Sequence, residues 1–254
     1  MPSRAQLERK LARKLGDMSS KHRRELLRLL GSPPDARNVP ASFWNKVKRE
    51  TRDEILAMLL LIYIASATGF ARQRRIDIKA TAILDTGSTL RQNAEQFATD
   101  RAEQISDNAA IVAKKRLDTM TSKWRARLNK DLPVTRLDIT QGVTSILGPK
   151  RDAKIARTET TGAKYRGEST AATEIMGPDI LEIWTLGPCS HCTFCPLVAG
   201  TPREFWGRYS SGPAAHVHCC CRITFAPPGT PTKTWRPSDG AMRTAADESG
   251  VWGF

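Results

Sequence analysis

Six cysteines fall within 33 residues, at Cys189, Cys192, Cys195, Cys219, Cys220 and Cys221, and His191, His216 and His218 share that window. The segment Cys189-Ser-His-Cys192-Thr-Phe-Cys195 holds two overlapping C-x-x-C steps. Each step can form a knuckle, a tight turn that aims two sulfurs at one ion. Structural zinc takes four ligands in a tetrahedron, commonly as two such pairs separated by a loop. The spacing therefore predicts a zinc site with Cys192, Cys195, Cys219 and Cys221 as ligands. His216 with Cys221 is another second pair, and Cys189 and His218 are further alternates. Adjacent side chains diverge on an extended backbone, so Cys220 is the poorest placed of its trio. Disulfides are the competing use of the same thiols.

Catalytic zinc needs an open coordination position and a nearby acid–base group. Glu204 is the one acidic residue between Cys189 and Cys221, so the expectation is a staple without chemistry. Small β segments bury little apolar surface, and metal binding then supplies much of their folding free energy. Pro188-Cys189-Ser-His-Cys192 matches half of the zinc deaminase signature, which also requires an upstream H-x-E. The only histidine before His191 is His22, followed by Arg23 and Arg24, and the match fails. The chain has no G-x-x-x-x-G-K-S/T, no H-E-x-x-H and no G-x-S-x-G. It is expected not to be an enzyme.

The elements around this cluster differ along the chain. Leu7, Leu11 and Leu15, then Leu26, Leu27, Leu29 and Leu30, predict one or two helices over Ser3–Leu30, with a break near Asp17–Ser20. The opposite face carries Arg9, Lys10, Arg13, Lys14, Arg23 and Arg24, candidates for contact with nucleic acid or an acidic partner. Ile55–Ala71 is a run of 17 apolar or small residues, short for a membrane span of about 20. It reads as a buried or oligomer-contact helix, with membrane insertion as the alternative. Leu90–Leu128 shows a long amphipathic stripe with Asp107-Asn108 as its weak point. Short helices are expected at 137–147 and from Lys150 to Ile175. Ile180–Leu186 and Arg222–Phe225 read as strands. The fold class is a mainly α N-terminal region with long helices, plus a small α+β C-terminal module stapled by a Cys/His zinc site.

The 254 residues include 40 Lys+Arg against 26 Asp+Glu, a formal charge of +14. Residues 1–50 hold 13 basic and 5 acidic side chains and residues 101–176 hold 15 and 9, whereas 177–254 hold six of each. The cysteine module is thus neutral, and the basic surfaces lie elsewhere. With 40% hydrophobic residues and a mean hydropathy of −0.41, a polytopic membrane protein is excluded. The basic start lacks an apolar segment before a small-residue cleavage site, so no secretory signal is expected.

Four features occur in order: Ala156-Arg157-Thr158-Glu159 on a helix, a strand with Trp184, Cys192-Thr-Phe-Cys195 leading to Gly200, and Pro213-Ala-Ala-His216-Val-His-Cys219-Cys-Cys221 before a strand. This order resembles the phage Mu F-like minor head protein family, also called the phage head morphogenesis family. Its hallmarks are an A-R-T-E helix, a C-x-x-C loop and a P-x-x-H-P-x-C-R-C closing motif. Val217 stands where the family has Pro, and Cys220 where it has Arg. The resemblance spans about residues 150–225.

The resemblance implies a structural component of a tailed-phage virion, assembled in the host cytoplasm and placed in the head near the portal. Its expected partners are the portal protein, the major capsid or scaffold protein and packaged DNA. Arg157, Thr158 and Glu159 form the family motif, and the residue-level reading is a helix start, with Thr158 or Glu159 holding the zinc module against the bundle through hydrogen bonds. The expected division is a basic helical arm at 1–39, a helical region at 40–149, the minor head module at 150–226 and an extended or disordered tail at 227–254. Two alternatives stand beside this reading: a basic zinc-containing nucleic-acid-binding protein, and a membrane-active ejection protein acting through 55–71.

Overall fold

Leu7, Leu11, Leu15, Leu26 and Leu30 are all buried along a single helix, α1 (Arg4–Leu30). The expected break at Asp17–Ser20 is absent. Polar residues on the core face find partners: the Ser19 hydroxyl donates to Asp152 Oδ1 at 3.0 Å, and His22 Nε2 lies 3.0 Å from Glu50 Oε2. Burial with partners outweighs the weak helix preference of that stretch.

The computed structural model describes residues 3–74, 89–188, 190–210, 212–213 and 221–248. They are mostly helical, with a small two-stranded sheet in the C-terminal region. After α1, Asp35 caps a one-turn 3₁₀ helix (Ala36–Asn38) by accepting from the Arg37 amide. The next helix, α2 (Ala41–Gln73), contains the apolar run. Ile55, Met58, Leu59, Ile62, Tyr63, Ala67, Phe70 and Ala71 are buried. By length and composition α2 could cross a membrane, but half of its apolar window is buried within the protein.

α3 (Thr89–Leu128) is continuous through Asp107 and Asn108, and its 40 residues reach about 60 Å at ~1.5 Å each. Its buried residues include Ala94, Ala98, Ala102, Ala109, Ala113, Leu117 and Trp124. α4 (Arg136–Ile146) opens with a capping box between Thr135 and Asp138. α5 (Pro149–Met176) carries the Arg157-Thr158-Glu159 motif more than one turn inside the helix, not at its start. β1 (Leu181–Thr185) pairs antiparallel with β2 (Arg222–Ala226), in a register running from Leu181↔Ala226 to Thr185↔Arg222. Two short helices lie between them, α6 (Phe194–Val198) and α7 (Arg203–Trp206). The 227–254 segment is not wholly extended, because Asp239–Glu248 forms α8 with Met242 and Ala245 buried.

The chain divides into two compact units. One comprises Glu8–Met58 and Phe97–Ala156. Its core joins Leu26, Leu30, Phe43, Trp44, Val47, Leu117, Val143 and Ile146. The other comprises the described residues of Met1–Leu7, Leu59–Gln96 and Arg157–Phe254. It contains the sheet and the described cysteines, Cys192, Cys195 and Cys221.

Candidate metal centre

Trp184 is the anchor of the cysteine module. Its fully buried ring meets Phe194 and Trp206 edge to face, with centroids 5.9 and 5.4 Å away. The backbone around it closes the loop after β1: the Gly200 N–H donates to the Trp184 carbonyl at 2.8 Å, and the Trp184 N–H donates to the Thr201 carbonyl at 3.1 Å. The Trp206 indole N–H donates to the Glu182 carbonyl at 3.1 Å. With Phe194 held in this cluster, α6 is fixed over β1. Cys195 lies within α6 and Cys192 just before it. Thr193 Oγ1 donates to the Ala245 carbonyl at 3.5 Å, which ties α8 to the same turn.

Cys192 Sγ and Cys195 Sγ are 3.4 Å apart, and the Cys195 N–H donates to Cys192 Sγ at 3.4 Å. Two sulfurs bound tetrahedrally at ~2.3 Å from zinc stand roughly 3.8 Å apart. A disulfide needs about 2.05 Å. The pair is too far apart for a disulfide and somewhat closer than two zinc-bound sulfurs would stand. Cys195 is buried and Cys192 is half-buried.

The register Thr185↔Arg222 brings Cys221, directly before β2, to the end of the sheet from which the cysteine loop departs. Cys221 is buried, with Sγ 3.9 Å from His191 Nδ1. The described donors therefore form two pairs, Cys192 with Cys195 and Cys221 with His191. Among the described residues, no three His, Cys, Asp or Glu side chains are grouped closely enough to hold an ion. Cys189, Cys219, Cys220, His216 and His218 lie outside the described residues. Thiols and an imidazole are donor types that zinc takes, and the described residues supply them as these two separate pairs.

The family-motif residues lie on α5. Arg157 is exposed, and Thr158 and Glu159 are buried. Of the two side chains expected to hold the module, Thr158 has a buried hydroxyl with no hydrogen-bond partner among the described residues. Thr161, one turn further on, accepts from Arg4 Nη2 at 2.6 Å and donates to the Arg157 carbonyl at 2.9 Å.

The predicted contact residues on α1 separate into two groups. Arg9, Lys10, Arg13 and Arg24 are exposed along one face. Lys14 pairs with Glu54 at 2.6 Å. Arg23 is turned inward, donating to the Leu147 carbonyl and to Ser20 Oγ, both at 2.8 Å.

Sequence reasoning missed a polar hub at Glu182. This buried carboxylate on β1 accepts from the Tyr165 hydroxyl at 2.8 Å, from Ser169 Oγ, and from Arg203 Nη1 at 3.3 Å. The Tyr165 phenol is pushed up from its ordinary pKa, chiefly by burial and then by the Glu182 charge. One signal was available: Glu182 alternates in phase with Trp184, on the face that becomes the inner one.

Comparison with known proteins finds no matching family, no matching curated protein and no matching solved structure.

Proposed function

We propose that this chain is a structural minor head protein of a tailed bacteriophage, placed in the head near the portal, with a C-terminal module held by one zinc ion. The observation that carries this reading is the Cys192–Cys195 pair, 3.4 Å apart, beside the end of the sheet where Cys221 opens the return strand. Arg157-Thr158-Glu159, β1, the C-x-x-C loop and Cys221 share one compact unit, in the order the family resemblance expects, which supports this reading. Zinc bound there would cross-link the loop after β1 to the start of β2 and contribute folding free energy. The chain's own residues position that staple: Trp184 and Phe194 fix the knuckle, and the strand register fixes Cys221.

The test is genetic and biochemical. In a phage that encodes this chain, it is expected in purified heads, and its removal is expected to yield defective heads. Normal, infectious heads formed without it would refute the reading.

A second reading, contact with packaged DNA, is favoured by the exposed row on α1. Arg9, Lys10, Arg13 and Arg24 have no hydrogen bond or ion pair among the described residues. Duplex DNA binding by the full chain should weaken steeply with salt, because each phosphate contact releases counterions. Replacing Arg9, Arg13 and Arg24 by Gln should flatten that slope. Salt-independent binding would dismiss the idea.

A further inference from the structure

Leu128, Leu132 and Leu137 are 38%, 50% and 64% exposed, three of the seven large hydrophobic side chains exposed among the described residues, within ten positions of one another. They sit at the turn from α3 to α4, in the unit formed by Glu8–Met58 and Phe97–Ala156. Isolated exposed leucines need no explanation, but a local group on a fixed frame does.

Arg127 fixes this frame. Its carbonyl accepts from the Leu132 amide at 3.0 Å, its Nη2 donates to the Pro133 carbonyl at 2.6 Å, and its Nη1 lies 3.5 Å from Asp138 Oδ2. Leu128 follows Arg127 in sequence, Leu132 is hydrogen-bonded to its carbonyl, and Leu137 precedes its ion-pair partner Asp138. The Thr135–Asp138 capping box ties the start of α4. Gly142 lets α4 lie against Trp124, since a β-carbon there would stand 2.8 Å from the indole. The turn is preorganised, so docking on it costs little ordering entropy.

The surrounding charge selects the partner. Lys123, Lys130 and Arg136 are exposed and make no ion pair among the described residues. Arg125 is held by Asp35 at 2.9 Å. Asp138 is committed to its cap and to Arg127, which leaves Asp131 as the one acidic side chain in the turn without such a role. Exposed basic side chains interspersed in sequence with exposed leucines complement an apolar cleft rimmed by carboxylates. Asp131, in the same turn as Leu132, opposes insertion into hydrocarbon. Phosphates offer the leucines nothing to bury against.

We propose that the α3–α4 turn is a docking site for an acidic protein surface, with Leu132 and Leu137 entering an apolar cleft and Lys123, Lys130 and Arg136 meeting its carboxylate rim. The proposal stands independently of the phage reading.

The probe is a labelled helix-forming peptide with leucines on one face flanked by glutamates. A lysine-flanked peptide of the same pattern is the control, with fluorescence anisotropy against the full chain as readout. The glutamate peptide should bind, and more weakly as salt rises. Binding should fall about tenfold or more in the Leu132→Gln/Leu137→Gln double variant, which changes only exposed positions and keeps wild-type helicity by circular dichroism. Lys130→Glu/Arg136→Glu should reverse the peptide preference. Equal binding of both peptides, or binding indifferent to the leucines, would overturn the proposal. So would leucine-dependent flotation with phosphatidylglycerol vesicles, which assigns the turn to lipid. Lysine-dependent, leucine-independent binding of duplex DNA in place of the peptide would assign it to nucleic acid.

Discussion

The carbonyl oxygen of Tyr63 stands 2.3 Å from the place a β-carbon on residue 167 would occupy, so Gly167 allows α2 and α5 to meet backbone to backbone. Alanine is the better helix former by about 1 kcal/mol, but here it would press on a carbonyl that cannot rotate away. Gly167→Ala should therefore destabilise by on the order of 2 kcal/mol. Gly16→Ala on α1, where nothing lies within 4 Å of the new carbon, should stabilise by roughly 0.5–1 kcal/mol. Thermal unfolding of the two variants checks the pair, and equal shifts would contradict the close crossing.

Asp152 gives the unit containing α4 a dependence on pH. Burial raises its carboxyl to about 6, opposed by the Ser19 hydrogen bond and by the charges of Arg151 and Arg23. Its Oδ2 has no hydrogen-bond partner among the described residues. A folded-state pKa above the unfolded value means the folded chain holds the proton more tightly. That contribution is complete below the unfolded value and is lost as pH rises through about 6. Asp152→Asn should accordingly stabilise at pH 7.5 by roughly 2–3 kcal/mol, and by much less near pH 5. Melting curves across this range decide it, and a difference that does not grow with pH would count against a neutral, buried Asp152.

Glu182 should be costly to remove and cheaper to neutralise. Glu182→Ala strands the buried Tyr165 and Ser169 hydroxyls, at an expected cost of about 3 kcal/mol. Glu182→Gln keeps an acceptor and loses only the attraction of the half-exposed Arg203, so its effect should be clearly smaller. Urea denaturation of both variants measures the order, and equal losses would place the effect in packing rather than hydrogen bonding.

Where the sequence is legible, spacing explains why. The leucines of α1, the alanine stripe of α3 and the alternation across Ile180–Leu186 each encode which face is inside. The C-x-x-C step likewise predicts a close Cys192–Cys195 pair. What escaped depends on contacts between distant positions. The polar stretch at Asp17–Ser20 continues as helix because Ser19 finds Asp152 and His22 finds Glu50. α8 was hidden because only Met242 and Ala245 bury its inner face. Glu182 looks like a solvent-facing charge until Tyr165 and Ser169 on α5 are placed against it. His191 stood among nine possible donors, and only the strand register brings it beside Cys221.

The cysteine module offers the most direct measurement, the zinc content of the purified full chain by elemental analysis. A structural site predicts close to one zinc per chain. It should be lost in Cys192→Ser, Cys195→Ser and Cys221→Ser, weakened in His191→Ala, and its removal by a chelator should lower the melting temperature. A metal-free protein that folds fully, and melts at the same temperature with chelator as without, would contradict the staple.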